Sequence, residues 1–184
     1  MRMCRRLGLS PVQHGAVSTT IAVADTYRWL YASRSLGWKT VSALRSENGI
    51  GNGKTNYFGG QSSDRNSCYI PVPAIGSKSK SKKVKITATF YLPQAMTCCW
   101  AITSSTANQA VYQNFGAQTD ANQYAAGTFA VPLGTTGTKV QEYTFEFPVV
   151  GIPKNTPFYL FLWGSASTGY AIHIQSDIVV TVEY

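Results

Sequence analysis

Apolar and polar side chains alternate in short runs along most of this chain. In "KVKITATFYL", Val84, Ile86, Ala88, Phe90 and Leu92 alternate with Lys85, Thr87, Thr89 and Tyr91. A period of two sends successive side chains to opposite faces, so this run predicts a strand with one covered face. "VQEYTFEFPV" sets Tyr143, Phe145 and Phe147 against Glu142, Thr144 and Glu146, and "IVVTVEY" keeps Ile178, Val180, Val182 and Tyr184 in phase. "CCWAITSS", "GTFAVPL" and "AIHIQ" predict shorter strands. "FYLFLW" is apolar on both parities, which predicts a strand covered on both faces.

The N-terminal half is less regular. Ile21, Val23, Tyr27, Trp29 and Tyr31 share one parity, predicting a strand or bent strand pair over 19–32. "CYIPVPAI" is strand-like, but Pro71 and Pro73 confine it to an edge or a strand end. Residues 45–67 are turn-rich, with Asn48-Gly49, Asn52-Gly53 and Gly59-Gly60 favouring positive φ. They predict a long loop or a series of hairpin turns. Residues 104–127 predict a connection without a period. Residues 1–17 carry none either and predict a flexible basic arm ahead of one domain over 18–184. Eight or nine short strands without an amphipathic helix predict an all-β, single antiparallel β-sandwich of jelly-roll type.

Composition agrees. Charged residues are 13% of the chain, about half the usual ~25%. The net charge of +8 is lopsided: residues 1–85 hold 14 Lys or Arg against three acids, and the rest hold two against five. The basic residues cluster at Arg2, Arg5 and Arg6 and at Lys78, Lys80, Lys82, Lys83 and Lys85, the last five forming a candidate patch for an anionic partner. No aromatic interleaves that run, so it offers no base-stacking platform, and nucleic acid is not the expected partner. Cys4, Cys68, Cys98 and Cys99 form no CxxC pair and are expected to be free thiols. Cys98 and Cys99 should face opposite ways. No apolar run reaches the ~20 residues of a membrane span.

Catalytic chemistry is sparse. "GIGNGKT" ends like a phosphate loop, but Asn48 stands where such a loop needs its first glycine. Glu142 and Glu146 share a face about 13 Å apart, too far for a glycosidase pair. His173 lies opposite Ile172 and Ile174 in phase, as a surface or interface histidine would. No enzyme activity, cofactor or metal is expected. Aromatics are the richer resource: four Trp and eleven Tyr exceed what one sandwich core needs. Flat rings stack on sugar faces and anchor interfaces. Trp38, placed in a turn, and Tyr112, Tyr124 and Tyr170, in loop-like stretches, are the candidate ligand-binding residues. Trp100 and Trp163 follow strand phase and belong to the core.

The layout also resembles a known family. "TIAVADTY", a Gly- and Asn-rich stretch, "CYIPVPAI", "KVKITATFYL" and "IVVTVEY" are similar to disaggregatase-related (DNRLRE-type) carbohydrate-binding modules over 25–91 and 171–184. Val72 departs from that pattern, as do Pro71 and Pro73. The resemblance implies a jelly-roll module in an extracellular or virion setting. The expected role is therefore that of a bacteriophage virion protein, in a tail fibre, baseplate accessory or head decoration, assembled in the host cytoplasm. Its expected partners are other virion proteins, further copies of itself and a cell-surface glycan, with no membrane. A bacterial carbohydrate-binding module is the alternative, and a small coat protein touching nucleic acid the second.

Overall fold

The computed structural model describes residues 15–29, 37–48, 56–60, 65–76, 78–106, 121–135, 139–166 and 170–184. Twelve strands and one α-helix lie among them: β1 (Ala16–Ile21), β2 (Tyr27–Trp29), β3 (Trp38–Thr40), α1 (Val41–Asn48), β4 (Tyr57–Gly60), β5 (Arg65–Val72), β6 (Lys83–Tyr91), β7 (Met96–Thr103), β8 (Gln123–Val131), β9 (Val140–Pro148), β10 (Phe158–Gly164), β11 (Tyr170–Ile174) and β12 (Ile178–Glu183). None of the described helices is long and apolar enough to cross a membrane.

All pairings are antiparallel and build two sheets. The front sheet runs β3–β2–β5–β10–β7–β8. In the back sheet β6 pairs with β9 along one edge; along the other it pairs with β12 and then β11, which are flanked in turn by β1 and β4. From β5 to β12 the chain changes sheet at every connection except β7 to β8 and β11 to β12. Two four-stranded layers in this order are a jelly roll. The excess over eight or nine strands comes from interruption: Gln175–Asp177 split one long strand into β11 and β12, and β2–β3 extend the front sheet. At one corner β5 first pairs with β4 and then with β10, joining the layers.

Alternation builds the core between the sheets. Val84, Ile86, Ala88 and Phe90 of β6 face Leu160 and Leu162 of β10 and Cys68 and Ile70 of β5 in one cluster. Phe129 of β8 meets Phe145 and Phe147 of β9 at ring distances of 5.1 and 5.4 Å, fastening the two edge strands together. Cys98 belongs to this core and Cys99 to a second cluster on the opposite face, as adjacent strand residues must.

Several expectations shift. Strand pairing begins at Ala16, two residues ahead of position 18, while residues 1–14 lie outside the described residues. The run over 19–32 is a bent pair: a 3-10 turn at Val23–Asp25 carries the chain from β1 in the back sheet to β2 in the front. Pro71 sits near the end of β5, beyond the last residue paired with β2, where a missing N–H is tolerated. Residues 41–48 are helical, which alternation did not foretell. Thr40 Oγ1 caps α1 by accepting from the Ala43 N–H at 3.1 Å, and Val41 and Leu44 are fully buried one turn apart. Eight residues are too few for a helical period to show.

Cys68, Cys98 and Cys99 are buried free thiols. Burial raises all three, with Cys98 pushed up to about 12. A Cys4→Ser protein is therefore expected to leave a thiol reagent unconsumed while folded and to consume three equivalents in denaturant. Rapid native labelling counted by mass spectrometry would contradict this burial.

Candidate functional site

The outward face of the front sheet is not wet as alternation alone would have it. Tyr69, Cys99, Ala101, Phe161 and Trp163 form a second buried cluster there, with Tyr27, Trp38 and Tyr159 packed on it. The two-sided apolar run of β10 is the cause: Phe158, Leu160 and Leu162 fill the inner core, and Phe161 and Trp163 the outer layer.

A cleft of about 460 Å³ opens beside this layer. Its walls are the rings of Tyr27 (β2), Tyr69 and Pro71 (β5) and Tyr159 (β10), and its polar rim is Asp25, Thr40 and Thr106. Tyr27 and Tyr69 stack with centroids 4.6 Å apart and planes 6° from parallel. Tyr159 meets Tyr69 edge-on at 5.9 Å. Tyr69 is itself braced by Trp38 at 5.1 Å and Phe161 at 5.0 Å. Burial, then the neighbouring Tyr27 and Tyr159 hydroxyls, raise the Tyr69 phenol well above its ordinary value, so it stays a neutral hydrogen-bonding group.

The turn bearing Asp25 is firmly held. Asp177 accepts from the Val23 N–H at 3.0 Å, and Thr26 donates its hydroxyl to Val23 O at 2.6 Å. Buried Asn56 donates to Thr26 Oγ1, and the Val41 N–H of α1 donates to Thr26 O at 2.9 Å. These bonds come from three separate stretches of chain, so the rim is set by the fold.

The residues singled out from sequence do not converge. Trp38 is in a strand, not a turn: it pairs with Trp29 across the β2–β3 hairpin and is half-buried against Tyr69 and Phe161, supporting the cleft from behind. Tyr124 lies at the irregular start of the β7–β8 pairing, half-buried against the main core. Tyr170 opens β11 in the back sheet and is exposed. Tyr112 lies outside the described residues, as do Arg2, Arg5, Arg6 and the "GIGNGKT" stretch from Gly49 to Thr55. Tyr27, Tyr69 and Tyr159 were missed, although Tyr69 and Tyr159 stand in the phase opposite to their strands' inner-core residues.

The lysine run divides. Lys78, Lys80 and Lys82 are exposed on the connection into β6. Lys83 and Lys85 point outward from β6 into an ion-pair ladder: Lys83–Glu146 at 2.8 Å, Lys85–Glu146 at 3.2 Å and Lys85–Glu183 at 2.5 Å. Hydrogen bonds from Lys83 and then Lys85 hold the Glu146 carboxyl below its ordinary 4.5. Hydrogen bonds to Glu183 and then Glu146 hold Lys85 above 10.5. A lowered carboxylate stabilises the fold above its unfolded value and loses that effect as pH falls through the folded one. Glu146→Gln is thus expected to cost a small, constant amount at neutral pH that fades in acid below 4.5, in urea melts across pH. A penalty that persists in acid would exclude the ladder as its source.

Among the described residues no group of three His, Cys, Asp or Glu side chains could hold a metal ion. No protein-family model matches the sequence, and neither does a curated protein at a significant level. The expected likeness to disaggregatase-related modules therefore finds no support in these comparisons. The solved structures similar to it include two with low TM-scores. One is the CBM36-1 domain of a multidomain xylanase from the hindgut metagenome of Trinervitermes trinervoides, with 9% identity, 89% of this chain and 96% of that one covered, and a TM-score of 0.41. The other is the unassembled KI polyomavirus VP1 pentamer, with 9% identity, 99% and 97% covered, and a TM-score of 0.25.

Proposed function

We propose that this chain is a non-enzymatic jelly-roll module that binds carbohydrate in the cleft on the outward face of its front sheet. The observation that carries the reading is the convergence of Tyr27, Tyr69 and Tyr159, from three strands, around one cleft rimmed by a carboxylate and two threonines. A sugar ring presents an apolar C–H face and a hydroxyl edge. The half-buried rings of Tyr27 and Tyr159, backed by Tyr69, match the first, and Asp25, Thr40, Thr106 and the phenols match the second. The test is a glycan array followed by calorimetry. Tyr159→Ala, which removes a half-buried ring, is expected to weaken binding about tenfold or more while the melting temperature stays near wild type. Unchanged affinity, or no glycan retained at all, would remove this reading.

A phage attachment or decoration protein and a bacterial carbohydrate-binding module would both use this cleft. The strand layout and the three buried free thiols, suited to assembly in a reducing cytoplasm, support the phage setting. The outer edges of β8 and β9, unpaired among the described residues, are where further copies or other particle proteins would add. Antibody labelling of purified virions separates the two settings. A coat protein on nucleic acid has less support, because Glu146 and Glu183 already engage two of the five lysines.

A further inference from the structure

We propose that Asp25 makes the cleft selective for uncharged sugars and turns away uronic and sialic acids, against the pull of the chain's net charge of +8. This rests on the carbohydrate reading above and names the class of glycan that the site accepts.

Among the described residues Asp25 is the only charged side chain lining the cleft; every other described wall is a ring or a hydroxyl. It is exposed, and its carboxylate enters no ion pair among the described residues. Among the described residues, the nearest cations along the chain do not offset it. Arg28 is buried with its guanidinium 4.0 Å over the Tyr57 ring. Lys39 alternates with Trp38 and Thr40, which face the cleft side, so it points to the other side of β3. The described residues therefore set a negative field at the cleft on a protein of net charge +8. A free carboxylate accepts hydrogen bonds from sugar hydroxyls, and these are stronger than neutral ones. A second carboxylate at roughly 6 Å is repelled, by about three- to tenfold in affinity in a water-rich rim.

The two fields make opposite predictions. If Asp25 governs, wild-type protein retains neutral glycans on the array above their sialylated and uronate counterparts. Its binding of neutral glycans is then indifferent to salt, and any residual binding of acidic ones strengthens as salt screens the repulsion. If the overall basic charge governs, acidic glycans lead and are lost as salt rises. Asp25→Asn removes the charge at nearly constant shape, and its thermal melt checks that the fold is kept. It is expected to weaken neutral binding about three- to tenfold and to strengthen acidic binding by a similar factor. Acidic glycans leading on the wild type, or an Asp25→Asn profile that matches it, would overturn the selectivity while leaving sugar binding intact. An array on which no glycan of any class is retained would overturn the carbohydrate reading itself.

Discussion

Replacing Phe147 by alanine is expected to destabilise the protein by about 3–5 kcal/mol, the range for a phenylalanine removed from a close-packed interior. Phe147 is wholly buried. Its ring meets Trp100 of β7 at 5.3 Å and Phe129 of β8 at 5.4 Å, and its strand is zipped to β6 opposite Val84. Both β8 and β9 are edge strands, so no backbone ladder spans the gap between them. Among the described residues, the ring contacts of Phe129 with Phe145 and Phe147 span that side of the sandwich. The surroundings would fill the cavity poorly, since the flanking Phe129 ring is already held by Phe58 at 6.1 Å and Phe145 at 5.1 Å. For a chain of 184 residues the loss corresponds to a fall in Tm of roughly 6–20 °C. Urea titration gives the free energy directly. A change under about 1 kcal/mol would mean that the edge strands are joined by something other than these rings.

Phe161→Ala is expected to cost as much, about 3–5 kcal/mol, although Phe161 lies on the outward face of its strand. An outward strand position is ordinarily neutral to within about 0.5 kcal/mol. Phe161 differs because it is fully buried beneath Trp38 and beside Tyr69, at 5.8 and 5.0 Å. Glu142→Ala, on the exposed face of β9, supplies the contrast and is expected to stay near zero. The two variants also differ in binding. Phe161 braces the Tyr69 ring that walls the cleft, so its loss should weaken glycan binding at temperatures where the protein is still folded, whereas Glu142→Ala should not. Stability lost without any change in binding would separate the aromatic layer from the site.

Much of the architecture was legible because alternation is a local property. In β6, β9 and β12 every second residue is apolar, and those same residues fill the core. The double-sided β10 announced a second buried layer without saying what lay in it. The site was not legible in the same way. Trp38 looked like an exposed ring because Gly37 and a short polar stretch surround it, yet hairpin pairing with Trp29 turns it down onto Phe161. Tyr27 counted with the apolar parity of 19–32 and Tyr159 with the two-sided run of β10, and nothing in "DTYRW", "SCYIP" or "PFYLF" shows that three strands will lie side by side.

The amino-acid order by itself therefore determined the longer alternating strands, their inward faces and the scarcity of acid–base groups, since each depends on a residue and its near neighbours, whereas β3, and β4 and the start of β8 within stretches read as loop (45–67 and 104–127), were not legible in it. Only the tertiary structure decided the jelly-roll order, the helix at 41–48, the ladder that engages Lys83 and Lys85, and the tyrosine cleft. Those features join positions as far apart as Asp25 and Tyr159. Bringing them together depends on which strand edges pair, and that is settled by the whole core closing at once.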